Sequence, residues 1–134
     1  MEYQFIEHFK VRDYECDLQG IVNNAVYQNY LEHTRHEFLL SKNVDFAALS
    51  KLGLNLVVIR AELDYKSPLT SGDAFYVGLN FSMKDRVRFQ FEQNIHRKSD
   101  DSLCVKALIT GTGMNERGRP SVPRTLVEQL LITN

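Results

Sequence analysis

The sequence predicts an α+β fold in which a long antiparallel sheet curls around one central helix. Three observations carry this. Tyr27, Tyr30, Leu31, Thr34 and Phe38 recur at three- and four-residue spacing within residues 24–40, the stripe of an amphipathic helix. Four long alternating segments follow, separated by short turn-like clusters, as antiparallel strands require. The chain has 134 residues, 43% of them apolar, which suits one core rather than two.

Taken in order, residues 3–13 alternate, with Tyr3, Phe5, Phe9 and Val11 on one side and Gln4, His8, Lys10 and Arg12 on the other. That pattern predicts a half-buried strand. Residues 14–23 hold Gly20 and several polar groups and read as a loop. Asn23 or Asn24 is placed to cap the long helix, since a side-chain oxygen there accepts an orphan backbone N–H. A short helix is predicted over 46–52, capped by Asp45 and stopped by Gly53, with Val44 before the cap placed to staple onto Leu49.

The strands follow. Ile59, Ala61, Leu63 and Tyr65 alternate with Arg60, Glu62, Asp64 and Lys66. Phe75, Val77, Leu79, Phe81 and Met83 form a second apolar row, and Val87, Phe89, Phe91 and Ile95 a third. Leu103, Val105, Ala107 and Ile109 form a fourth. Ser71-Gly72-Asp73, Lys84-Asp85-Arg86, Ser99-Asp100-Asp101 and the stretch from Asn115 to Pro120 punctuate them. Short turns predict antiparallel neighbours. Pro123 suits the start of a C-terminal helix carrying Leu126, Val127, Leu130 and Leu131. No repeat, linker or composition break divides the chain, so residues 1–134 read as one domain.

Composition excludes several functions. The net charge is −1, so no global field draws the protein to nucleic acid or an anionic membrane. No apolar stretch approaches the ~20 residues of a membrane span, and the amino-terminal residues lack a secretory pattern. Two cysteines in different segments, Cys16 and Cys104, predict reduced thiols and a cytoplasmic location. His33 and His36 stand three apart, and no third ligand suggests itself, so no metal site is expected.

The segment Tyr14 to Tyr27 is the most informative. It sets a carboxylate, Asp17, and a glycine, Gly20, just before a helix start, where unpaired N–H groups and the positive dipole end favour a developing oxyanion. On spacing alone, an aspartate here is also explained as a turn former.

Asp17-Leu18-Gln19-Gly20-Ile21-Val22-Asn23-Asn24-Ala25-Val26-Tyr27 resembles the active-site loop of hotdog-fold thioesterases of the 4-hydroxybenzoyl-CoA thioesterase type. Their pattern is Asp-x-x-Gly-(apolar or His)-Val-x-(His or Asn)-x-x-Tyr, and Tyr30, Glu32 and Arg35 match its continuation. Tyr65-Lys66-Ser67-Pro68-Leu69-Thr70-Ser71-Gly72-Asp73 resembles the family's strand corner, and Gly118-Arg119-Pro120 with Pro123 its exit from the sheet.

The resemblance implies a hotdog fold, a five-stranded antiparallel sheet wrapped around a long central helix. It also implies subunits paired edge to edge as a homodimer or a dimer-of-dimers tetramer, with active sites at the interface. The implied reaction is hydrolysis of an acyl-CoA or acyl carrier protein thioester to free acid and thiol. Asp17 matches the catalytic aspartate, as nucleophile or general base. Gly20, Val22, Asn24 and Tyr27 match substrate-binding positions. No cofactor is implied, coenzyme A being part of the substrate.

Asn24 and Ile21 stand where subgroups carry histidine, so the motif supplies none. Thioester chemistry tolerates this, because a thiol of pKa ~8.5 departs as thiolate without a strong acid. Two other readings remain: a non-catalytic binder of acyl thioesters, and a hotdog-fold dehydratase or hydratase, which the absent histidine disfavours. Glu32 is an alternative carboxylate, and otherwise pairs at helical spacing with Arg35 or His36. Cys16 is disfavoured as a nucleophile by adjacent Glu15 and Asp17. Arg60, Lys66, Arg86, Arg88, Arg97 and Lys98 are candidates for phosphate contacts, or simply a solvated strand face.

Overall fold

The structure, a computed structural model, describes residues 2–132. The chain runs β1 (Phe5–Lys10), a single 3₁₀ turn (Asp13–Glu15), α1 (Asn24–Ser41), α2 (Phe46–Lys51), β2 (Asn55–Tyr65), β3 (Ala74–Met83), β4 (Arg88–Arg97), β5 (Leu103–Met114) and α3 (Arg124–Leu130). The five strands make one antiparallel sheet in the order β1-β3-β4-β5-β2. This is the expected α+β hotdog architecture.

The core is built where the two periodicities meet. From α1 come Tyr27, Tyr30, Leu31, Thr34 and Phe38, all buried. Thr34 tolerates burial because its hydroxyl donates to the Tyr30 carbonyl at 2.8 Å, a local bond open to a hydroxyl on a helix. Against that stripe the sheet sets Phe75, Val77, Leu79 and Phe81 of β3, Phe89, Phe91 and Ile95 of β4, and Val105, Ala107 and Ile109 of β5. Asn23 caps α1 by accepting from the Ala25 N–H at 2.9 Å. Asp45 caps α2 in the same way. Gly53, at φ +85°, leaves α2 in the left-handed region that a glycine enters without penalty.

Four expectations change. Tyr3 does not share a face with Phe5: its ring lies against Gly78, and its hydroxyl is 2.7 Å from His96 Nε2. The chain bends at Gln4, before β1 begins. β2 and β3 are not neighbours. Residues 66–73 carry the chain across one end of the sheet, so β2 pairs with β5 and lies at the far edge. As an edge it is largely exposed, with Val58, Ile59 and Tyr65 about half open.

The remaining two are inward positions that carry polar side chains. Glu7 lies between Phe5 and Phe9 on the half-buried face of β1. Gln93, fully buried on β4, donates to the Leu31 carbonyl at 2.9 Å and accepts from Arg35 at 3.0 Å. Among the described residues no helix is long and apolar enough to cross a membrane.

Candidate active site

The loop before α1 is a three-residue turn closing a short antiparallel bridge between Cys16 and Val22. Asp17 N–H donates to the Ile21 carbonyl at 2.8 Å and Gly20 N–H to the Asp17 carbonyl at 3.0 Å. Gly20 sits at φ +82°, and a Cβ there would meet nothing within 4 Å. Its glycine therefore answers a backbone conformation, not a close approach by protein atoms.

The Asp17 carboxylate is fixed to this turn: Oδ1 accepts from the Gln19 N–H at 2.8 Å. That bond uses one of the two carboxylate oxygens. Asp17, Gly20 and Asn24 are exposed in the single chain, whereas Val22 and Tyr27 are buried.

Val22 and Tyr27 support the loop from beneath. Val22 N–H donates to the Leu69 carbonyl at 2.9 Å. Tyr27 Oη accepts from the Leu69 N–H at 3.0 Å. Both bonds tie the loop to the 66–73 crossing. Burial pushes the Tyr27 phenol above its ordinary range, which keeps it neutral. Glu15 braces the loop in a parallel way, since its Oε1 accepts from the Arg12 N–H and the Tyr30 hydroxyl, each at 2.8 Å. Tyr30 is pushed well up, first by burial and then by that carboxylate.

The amide groups opening α1 are unequal. Ala25 N–H is taken by the Asn23 side chain and Val26 N–H by the Asn23 carbonyl. Asn24 N–H has no protein partner among the described residues. It is a donor that this helix start offers to an incoming oxygen.

The remaining sequence candidates separate. Cys16 is half-buried, and burial, followed by the charges of Asp13, Asp17 and Glu15, pushes its thiol up, against nucleophilic use. Glu32 and His36 stand one turn apart on α1, 4.0 Å from each other, and Arg35 turns inward to Gln93 instead. Burial draws the Arg35 pKa down, and Glu32 offsets part of that.

Arg97 is committed to the fold. Its guanidinium donates to Asp100, Ser102, Ser67 and the Pro68 carbonyl, pinning the crossing that supports the loop. Arg88 pairs with Asp85 and Arg60 with Glu62. Lys66, Arg86 and Lys98 form no ion pair among the described residues. Among the described residues His33 does not join His36 in a cluster; instead possible ligand atoms of Glu7, His33 and Glu37 lie within 4.8 Å of one another.

An apolar cavity lies away from this loop. About 380 Å³ of space lies under the carboxyl-terminal half of α1, between β2, the ends of β3 and β4, α2 and α3. Its size falls within the usual range of small-molecule sites. Sequence reading missed it because its walls come from segments far apart in the chain. It opens beside Val57 and Val58 of the exposed β2 edge.

Residues 11–130 match the thioesterase-like superfamily. A chloroplastic acyl-acyl carrier protein thioesterase of Arabidopsis thaliana is 38% identical over 112 residues, which cover 84% of this chain and 60% of that protein. A second such thioesterase from the same plant is 35% identical over 89% of this chain and 62% of its own length. The chain thus spans about three-fifths of the chloroplastic relatives it matches.

Among solved structures, a hypothetical protein of Aquifex aeolicus is similar at a TM-score of 0.86 and 34% identity, covering 94% of this chain and 98% of that one. A 1,4-dihydroxy-2-naphthoyl-CoA thioesterase of Synechocystis shares the fold at a TM-score of 0.89 with 16% identity, over 95% and 94% of the two chains.

Proposed function

The chain belongs to the thioesterase-like superfamily, and on that premise we propose that it hydrolyses acyl thioesters of coenzyme A or acyl carrier protein, with Asp17 as the catalytic carboxylate. One observation carries the reading. A carboxylate locked onto a turn by Gln19 lies in the loop that leads into a helix start whose Asn24 amide has no protein partner among the described residues.

A thioester carbonyl oxygen accepting from that amide gains the positive end of α1 as it turns into an oxyanion. The second oxygen of Asp17 then either attacks the acyl carbon, giving on thiolate departure an anhydride that water cleaves to free acid and the restored carboxylate, or takes a proton from a water that attacks directly. The thiol leaves as thiolate, so no acid is required of Ile21 or Asn24. Gly20 and Val22 shape the loop wall, and Tyr27 holds it through Leu69.

The exposed β2 edge supports a two-fold pairing that completes the site. At its Asn55 end, Leu56, Val57 and Val58 border the apolar cavity. At its other end, Tyr65 Oη lies 3.5 Å from the Asn24 carbonyl, beside the catalytic loop. Antiparallel pairing of two β2 strands about their middle sets the cavity end of one copy against the loop end of the other. Each site then joins the Asp17 loop of one subunit to the cavity of its partner. Such pairing also covers an apolar edge that otherwise invites aggregation. A dimer of this kind, or a tetramer built from two, is the proposed assembly.

The test is release of free thiol from a panel of acyl-CoA and acyl carrier protein thioesters, read with a thiol-reactive dye. Turnover is expected, and Asp17→Ala should lower it at least ~10²-fold. Binding without turnover across the panel would favour a non-catalytic acyl-thioester binder instead. Hydration of an enoyl-CoA would favour the hydratase reading.

A further inference from the structure

We infer that the apolar cavity is a binding site for an amphiphilic carboxylate, a fatty acid anion, whose head group is held by the guanidinium of Arg35. Hydrolysis of an acyl thioester releases such an anion. The inference nevertheless goes beyond the proposed activity and rests on Arg35 and the cavity alone.

The cavity is walled largely by hydrocarbon, including Phe46, Phe81, Phe89, Phe91 and Leu126, and Arg35 is one of its few polar lining residues, with Glu32 and His36. A guanidinium drawn partly out of water is costly unless an anion matches it. Arg35 is half-buried and forms no ion pair among the described residues. Glu32 favours its charge through space without pairing with it, and lies instead 4.0 Å from His36.

Arg35 is nonetheless fixed in place. Gln93, fully buried, spends its Nε2 on the Leu31 carbonyl at 2.9 Å, and its Oε1 accepts from Arg35 Nη1 at 3.0 Å. Arg35 Nε and Nη2 have no protein partner among the described residues, and neither is sealed off by surrounding atoms. These two nitrogens carry the parallel N–H pair along one side of the guanidinium, the edge that matches both oxygens of a carboxylate. A buried amide that holds one nitrogen and leaves that edge open pre-organises the cation for an anion. For packing alone, an apolar pair of the same shape would serve as well.

The two chemistries of the cavity call for one molecule. A single cation set among hydrocarbon suits a ligand with one anionic end and an apolar remainder. A neutral acceptor, such as a thioester carbonyl, would leave the charge of Arg35 unmatched. A small anion without a tail would leave the apolar wall uncovered.

The experiment is titration calorimetry of the full chain at about pH 7, where a carboxylic acid is ionised, with octanoate, 1-octanol and acetate. Octanoate should bind at least ~10-fold more tightly than 1-octanol, which has the tail without the charge. Acetate, which has the charge without the tail, should bind far more weakly than either. In the double variant Arg35→Met with Gln93→Leu, which removes the cation and its amide support together, the preference for octanoate should fall to about one or below. Retained binding of 1-octanol in that variant shows that the cavity has survived.

Leu126→Trp, which sets a large ring into the cavity, gives a second readout if the double variant does not fold: it should weaken octanoate and 1-octanol together. Equal wild-type affinity for the two ligands overturns the anion site, and so does a preference for octanoate that survives the loss of Arg35. Octanoate binding untouched by Leu126→Trp places the ligand outside the cavity and overturns it too. None of these titrations involves a thioester, so failure here leaves the thioesterase reading to the thiol-release assay.

Discussion

The two ends of α1 are built on opposite principles. At the amino end, the loop from Asp13 to Asn24 is held by directional bonds: Asp17 to Gln19, Val22 and Tyr27 to Leu69, Glu15 to Tyr30. At the carboxyl end the wall is hydrocarbon from α1, α2, α3 and the strand ends. A reacting carboxylate must be aimed, and hydrogen bonds fix orientation. An acyl tail must be accommodated, and apolar burial is non-directional. One chain carries both halves but sets them apart along its central helix, which is why the proposed site takes one half from each of two copies.

The largest effect expected at the loop end is from Asp17→Asn. Asparagine retains an oxygen for the Gln19 amide, so the turn survives while the charge is lost. Turnover should fall at least ~10²-fold with the melting temperature nearly unchanged. Wild-type turnover in this variant would show that Asp17 serves only the turn.

Mixing sharpens the comparison between the ends. Asp17→Asn lacks the carboxylate, and Leu126→Trp sets a large ring into the cavity that Leu126 lines. If each site takes its carboxylate and its cavity from different copies, subunit exchange between the two impaired proteins restores one fully intact site per heterodimer. In an equal mixture about a quarter of all sites are then intact, so activity should exceed the mean of the two variants measured alone. If both halves of a site come from one chain, the mixture shows only the mean of the two variants.

The amino-acid pattern made the loop end far more legible than the cavity end. Local signals suffice for α1 and its cap, since the stripe from Tyr27 to Phe38 and the Asn23 side chain lie within a few residues of what they contact. The same holds for the Asp17 turn, where Gly20 marks the backbone inversion. The cavity unites residues from Glu32 to Leu130, and its existence depends on where β2 lies. Residues 66–73 fix that position by crossing the sheet, and their length alone does not distinguish a crossing from a hairpin.

The alternation did leave two signals, the breaks at Glu7 and Gln93. Gln93 was recoverable as the one polar residue between Phe91 and Ile95 at an inward step. Its partner Arg35 was not, because a helix residue's reach across to a sheet is set by tertiary packing. Which amide stays unpaired at the start of α1 was likewise beyond reach, since that depends on which groups Asn23 already satisfies.

The Arg35–Gln93 pair sits between the two ends and tests how separate they are. Gln93→Leu removes the acceptor for Arg35 and the donor to the Leu31 carbonyl, leaving buried polar groups unpaired, at a cost of about 1–3 kcal/mol. Combined with Arg35→Met the loss should be less than the sum of the two single losses, because the guanidinium no longer needs a partner. Additive losses in chemical denaturation would show that the two side chains act independently.

A smaller effect is expected from Gly20→Ala. No atom obstructs the new Cβ, so only the left-handed backbone resists, at about 1 kcal/mol. The melting temperature should drop by a few degrees, and turnover should fall through displacement of Asp17. A fall in stability at unchanged kcat/KM would detach the turn from the chemistry.

The smallest effect separates the ends by acid. Arg97 pins the crossing under the loop, and Asp100 is one of its anchors. The Asp100 carboxyl is held below its ordinary 3.8 by the Ser102 hydroxyl first, then the Ser102 amide and Arg97. A group with a depressed folded pKa stabilises the fold above its unfolded pKa and loses that contribution as pH falls through the folded value. The wild type should therefore melt slightly higher than Asp100→Asn at neutral pH, and the gap should close below about pH 3.8. Because Asp100 is well exposed, solvent screening keeps the gap small. Leu130→Ala, at the hydrocarbon end, should lower the melting temperature by nearly the same amount across that range, since no charge is involved. A gap for Asp100→Asn that persists undiminished into acid would mean that its carboxylate does not help hold the crossing, and with it the loop.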